Sequence, residues 1–299
     1  MSRPTRNAAP TRFGLADPLG RQLWICALMV VLFIGGAVAL SRSVKSNETE
    51  DLYVVNKDRI SFSSPPDWID QGVLQQVAEV LFADEKTYDV RDRDVTQTIA
   101  KAIEGAENPW IKSVDRVVKY YPTKVLVDVQ YRQPVAMVEV KGDFRGGAKW
   151  GMVPVDIDGV ILPGDGNEFL VENAKYYPRI NIGGAAPEAT KKPGLPWGDD
   201  RVAESARIAA ALGGVWSRLG FHRIVAAGSD EGRNIYELHT VEGGHLIWGS
   251  APGAERPHEN SAAQKVGMLV AMQQTQIAAG QIDLRTPAEL SANTAPAAR

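Results

Sequence analysis

Two pairs of side chains in this sequence have types and spacings that chemistry could use. Asp156 and Asp158 lie two apart in VDIDGV, and carboxylates at that spacing on a strand face the same side, as an acid–base pair would require. Gly159 follows at once and marks a turn, which accounts for Asp158 locally, so a structural turn is the expected role. His239 and His245 flank Glu242-Gly243-Gly244 and would approach across a hairpin. A zinc site needs at least a third placed ligand, so they read as strand positions. No serine has a lysine three positions on, and G-x-S-x-G, H-E-x-x-H and a Gly-rich phosphate loop are all missing. Serine, zinc and nucleotide chemistry thus lack their usual starting groups. The expectation is a non-enzyme with no catalytic, cofactor or metal residues and no small-molecule substrate.

The elements that would hold these residues are legible from periodicity. Arg59 to Ser63 alternates as a short strand, and Asp67 is placed to cap a helix carrying Ile69, Val73, Val77 and Val80. A second helix would be capped by Asp92, present Val95, Ile99, Ala102 and Ile103, and end at Gly105. Asn108-Pro109 then turns into two alternating runs around Tyr121-Pro122-Thr123, in which Val125, Val127 and Val129 share one face. Strand, helix, helix, strand, strand makes a compact α+β unit. Short strands follow at 135–140, 150–154 and 160–163, then a Gly/Pro/Ala-rich loop over 183–200. A helix over 201–219 carries Val202, Ala206, Ala209, Leu212 and Trp216. Strands at 222–227, 234–241 and 245–248, a helix over 262–278 and a last strand over 281–285 complete the pattern, so the second unit is mostly β with two helices. Residues 286–299 are small and polar and predict disorder.

Composition excludes some classes. A net charge of −3, with no run of five basic residues, offers nucleic acid no attraction. Leu23 to Leu40 is free of charge and flanked by Arg21 and Arg42, which predicts a transmembrane helix over 22–41. Ala37-Val38-Ala39 leaves a cleaved signal peptide as the alternative. Arg3, Arg6, Arg12 and Arg21 precede this run, so the N-terminal arm, 1–21, would be cytoplasmic. A linker over 42–56 would then lead to exported units at 57–133 and 134–285. The sole cysteine, Cys26, lies in the apolar run, and no disulfide is expected. Trp110 and Tyr121 read as residues closing the first core, with interface anchors as the alternative.

Particular motifs sharpen this outline. Asn108-Pro109-Trp110-Ile111, Val117-x-Lys119-x-Tyr121-Pro122 and Arg132-Gln133-Pro134-Val135-Ala136, with the later Val155-Asp156-Ile157-Asp158-Gly159-Val160 and Ile282-Asp283-Leu284-Arg285, resemble blocks of the FtsQ/DivIB family of bacterial cell-division proteins. Lys119 and Tyr121 stand where that family more often has Arg and Trp. The resemblance implies a single-pass inner-membrane protein at the division septum, with a cytoplasmic N-terminus, a POTRA domain of βααββ order and a periplasmic β-rich domain. It implies a scaffold linking early and late divisome components and helping to localise or regulate septal peptidoglycan synthesis. The implied partners are FtsB and FtsL, with FtsW/FtsI and FtsK as further candidates. Ile282, Asp283, Leu284 and Arg285 would lie at the docking edge, although their alternation also fits an ordinary half-buried strand. Two alternatives remain: a POTRA-containing module of protein export or outer-membrane assembly, and a membrane-tethered cell-wall hydrolase or peptidase.

Overall fold

The computed structural model describes residues 18–50, 52–83, 86–142, 150–164, 167–186, 192–272, 277 and 281–286. The arm expected over 1–21 lies mostly outside them, as does the tail expected after Thr286. The chain is α+β, with six α-helices and three sheets among the described residues.

The expected membrane-spanning helix is overturned, and the single-pass inner-membrane placement goes with it. No helix among the described residues is long and apolar enough to cross a membrane. Helix α1 is long, Pro18–Glu50, but Arg42, Lys45, Glu48 and Glu50 occupy its last turns. Its described large side chains, Phe33 among them, are exposed, as is Cys26.

The stretch read as a linker contains the end of α1 and strand β1 (Val54–Val55), which pairs antiparallel with β3 (Tyr88–Asp89). Two-residue strands leave no alternation to read. Strand β2 (Ile60–Phe62) runs parallel to β5 (Lys124–Tyr131), and β4 (Ile111–Tyr120) pairs antiparallel with β5, so the first sheet has the order β2-β5-β4. Helices α2 (Gln71–Leu81) and α3 (Val95–Gly105) cover it. Both begin later than the sequence suggested. Ile69 N–H bonds Pro66 C=O and Asp92 N–H bonds Asp89 C=O, so Asp67 and Asp92 are spent in turns. Asp70 caps α2 instead, accepting from Gly72 N–H at 2.7 Å. Val77, Ala78 and Leu81 then face Val95, Ile99, Ile103 and the alternate valines 125, 127 and 129, while Val80 is exposed.

The larger sheet has seven strands in the order β12-β11-β10-β9-β8-β6-β7. These are β6 (Ala136–Lys141), β7 (Trp150–Val155), β8 (Arg179–Asn181), β9 (Phe221–Asp230), β10 (Arg233–Thr240), β11 (His245–Gly249) and β12 (Gln281–Asp283). Its inner face meets α5 (Asp200–Leu212) and α6 (Ala262–Ala271) in one apolar core. Among the described residues this unit holds three α-helices of six residues or more rather than two, because α4 (Glu168–Asn173) adds a short one, capped by Asn167. The helix expected to reach Leu219 stops at Leu212, where Gly213-Gly214 interrupts it. Val202, Ala206, Ala209, Leu212 and Trp216 are nevertheless all buried. The run 160–163 forms only isolated bridges, Val155 with Ile161 and Val160 with Pro196.

A compact joint connects the two sheets. Trp110 does not close the first core: it packs with Ile69, Met137, Leu162 and Leu170, drawn from both units. Tyr121 is exposed at the hairpin tip. Asp156, nearly fully buried, accepts from Arg132 Nη1 at 2.7 Å and from the N–H groups of Asp158 and Val160 at 3.0 and 2.9 Å. Lys112 reaches Asp158 across the same joint at 2.8 Å. Replacing Asp156 strands a largely buried guanidinium and two amides. In urea denaturation Asp156→Ala is expected to lose about 3 kcal/mol or more, and Asp158→Ala, whose ion pair is exposed, less than about 1 kcal/mol.

Candidate functional site

The four residues singled out near the C-terminus come together at one end of the large sheet. Strand β12 is its terminal strand among the described residues and runs parallel to β11, with Leu246 opposite Ile282 and Ile247 opposite Asp283. Ile282 packs against the core and Leu284 is fully buried within it. Asp283 and Arg285 lie on the other face and clasp each other: Arg285 Nε and Nη2 reach the two carboxylate oxygens at 3.0 and 2.7 Å, and Arg285 N–H adds a bond of 2.9 Å. Burial alone would raise the Asp283 carboxyl, but the donors from Arg285 outweigh it and hold it below its ordinary range. The backbone alternates correspondingly. Leu284 N–H donates to Ile247 C=O at 2.9 Å, so in a parallel ladder the amide and carbonyl of Ile282 turn the same way and those of Asp283 point outward.

What fixes this strand lies behind it. Asn260 donates from its N–H to Arg285 C=O at 2.8 Å and from Nδ2 to Leu284 C=O at 3.0 Å, tying the chain end to the loop before α6. That loop is organised by Glu259. Its carboxylate accepts from Ser250 N–H and Oγ at 2.8 and 2.9 Å, from Arg256 N–H at 3.0 Å and from Lys265 Nζ at 2.7 Å. The Lys265 and Glu259 side chains are 0% and 3% exposed, and the ammonium also sits 5.0 Å from the Trp248 ring centre. Burial pushes the Glu259 carboxyl up, yet its four donors prevail and lower it below the usual 4.5. Burial lowers the Lys265 ammonium more than Glu259 can restore. A capping box at Ser261 and Gln264 starts α6 and so sets where Lys265 enters the core.

Gly249 completes the arrangement. Its φ is +90°, and a Cβ there would stand 2.4 Å from Glu259 Oε1 and 2.6 Å from Arg285 Cγ. Only glycine allows the loop and the chain end to close on the same point.

The other sequence candidates divide. His239 and His245 do face each other across β10 and β11, with ring centres 6.0 Å apart, and His239 Nε2 lies 3.1 Å from Glu237. No cluster of three or more His, Cys, Asp or Glu that could hold a metal occurs among the described residues. Asp156 and Asp158 belong to the joint. The buried Glu259–Lys265 pair escaped the sequence reading, because charges in a Pro-rich loop and on an amphipathic helix read as solvated. One signal was present: Lys265 lies four residues before Leu269 and shares its buried stripe.

Removing one member of this pair leaves an uncompensated buried charge. Glu259→Met or Lys265→Met alone is expected to cost about 3–5 kcal/mol in denaturant unfolding, whereas the double variant should recover most of that loss. The acid side has a definite sign. Since the folded carboxyl titrates below 4.5, the unfolded chain takes up its proton first, and stability falls as pH drops from there through the folded value. Melting curves of the double variant between pH 3 and 6 are expected to be flatter than those of the wild type.

No known protein-family model matches the chain, and no curated protein matches it in sequence.

Proposed function

We propose that this chain is a non-catalytic docking scaffold of the cell-division machinery, and that it receives a segment of a partner protein along the outer side of β12. One observation carries the reading: a terminal strand with an outward-facing backbone, held from behind by Asn260, the Glu259–Lys265 pair and the buried Leu284. An extended peptide laid along such an edge gains main-chain hydrogen bonds for affinity and side-chain contacts for register. The scaffold does not have to reorganise for this, because its side of the interface is already rigid.

The choice of machinery rests on the resemblance to FtsQ/DivIB proteins. Its supporting residues occupy consistent places: Trp110 and Arg132 at the joint, the Val117–Pro122 block in the hairpin of the first sheet, and Ile282 to Arg285 at the edge. The first unit has the strand, helix, helix, strand, strand order of a POTRA domain, with the small β1–β3 ribbon added beside it. On this reading FtsB and FtsL supply the strand at β12. FtsW/FtsI and FtsK meet other surfaces, and the scaffold helps to localise or regulate septal peptidoglycan synthesis.

The backbone character of the contact gives the test. Asp283→Pro deletes an outward amide, while Asp283→Ala removes the clasp with Arg285 and keeps that amide. Co-purification of the full chain with FtsB and FtsL is expected to fall at least about tenfold for the proline variant, the worth of one interfacial hydrogen bond plus steric loss, and much less for alanine. Undiminished capture by a folded proline variant would remove the edge from the interface. Capture of export or outer-membrane assembly proteins in place of division proteins would overturn the wider reading.

A further inference from the structure

The outer face of the large sheet is covered near Met137 by α4 and the joint, but farther along the strands it is open. There Trp150 and Met152 on β7, Glu139 on β6, Arg179 and Asn181 on β8 and Arg223 on β9 surround a cleft of about 320 Å³. This lies at the small end of the range for ligand sites. Trp150 and Met152 are 47% and 43% exposed and give it an apolar wall. Gly184, with φ of +78°, allows Lys141 to stack on the Trp150 ring at 5.1 Å, because a Cβ there would meet both side chains within 3.0 Å.

The polar floor carries unequal charge. Glu139 is buried and already satisfied: Arg223 Nη2 donates to Oε1 at 3.0 Å and Asn181 Nδ2 to Oε2 at 2.9 Å. Arg179 has no ion-pair partner among the described residues, so two guanidinium groups face one carboxylate. A neighbouring group registers the imbalance. Burial lowers the His222 imidazole, and Arg223, Arg179 and His239 lower it further, against a smaller opposing effect of Glu139. His222 reaches this face through a bulge, since β9 pairs Phe221 with Thr240 but Arg223 with His239.

We propose that this cleft binds a small carboxylate bearing an apolar group, with Arg179 receiving the carboxylate and Trp150 and Met152 receiving the apolar group. Arg179 can offer two parallel N–H donors, the geometry a carboxylate accepts best. The partly exposed tryptophan and methionine supply apolar area, and Glu139, already paired with Arg223 and Asn181, leaves Arg179 to the ligand carboxylate. The free acid and a peptide chain end share this chemistry.

The test uses the full chain, ¹⁵N-labelled, with the Trp150 indole resonance assigned by its loss in Trp150→Phe. N-acetylphenylalanine is expected to shift that resonance in a saturable way, with N-acetylphenylalaninamide at least about tenfold weaker. Arg179→Gln should abolish the difference between acid and amide. The tripeptide Gly-Gly-Phe binding more tightly than the acetylated amino acid assigns the ligand to a chain end, and the reverse order assigns it to a free acid. Equal shifts from acid and amide in the wild type overturn the proposal whether or not the variant folds, as does discrimination that persists in folded Arg179→Gln.

Discussion

The carboxylate of Asp156 makes one continuous structure of two sheets. It closes its own turn through the amides of Asp158 and Val160 and anchors Arg132, which directly follows the last strand of the first sheet and precedes the first strand of the second. Because the chain passes from one sheet to the other within five residues, from Tyr131 to Ala136, a small rotation at this point would move the first unit by a large distance. Trp110, Met137 and Leu170 fill the angle between the units and oppose that rotation. Buried ion pairs add little net stability over apolar replacements. The contribution here is geometric, because the Arg132–Asp156 bond ties the residue that follows the first sheet to the turn that follows β7 in the second.

The opposite end of the large sheet uses a second buried charge pair for a different purpose. A terminal strand of three residues has too few ladder bonds to hold itself. Asn260 therefore grips the carbonyls that follow it, and the Glu259–Lys265 pair fixes the loop that presents Asn260. The Asp283–Arg285 clasp places charge beside the outward backbone, as natural edge strands do to discourage unselective pairing. On the proposed docking role, the support behind the strand and the charge beside it would together favour a partner with a matching register over a generic β-segment.

Periodicity revealed the elements with long alternating or helical patterns and little else. The stripe of Val202, Ala206, Ala209, Leu212 and Trp216 was legible because each member is buried in the same core, although Gly213-Gly214 breaks the helix beneath it. Strand β8 was not, since Arg-Ile-Asn is too short for alternation and exists because β6 and β9 pair with it on either side. Arg132 with Asp156 and Glu259 with Lys265 are pairings made by tertiary structure, and no local rule announces them. The apolar run from Leu23 suggested a membrane span, but no helix among the described residues is long and apolar enough to cross a membrane. At the edge, the positions of Ile282 to Arg285 were legible in the sequence. The outward direction of the Asp283 backbone was not, because it depends on the register with β11.

The order of strands in the large sheet turns it into a ruler. From β7 at one end to β12 at the other there are six interstrand steps, about 29 Å at the spacing that main-chain hydrogen bonds impose. That separation is set by the backbone, so substitutions of surface side chains leave it unchanged. The cleft beside Trp150 and the strand edge beside Asp283 therefore stand apart on one continuous hydrogen-bonded sheet. Molecules held at the two places would occupy separate ground, and their spacing would be transmitted to whatever larger assembly contains them.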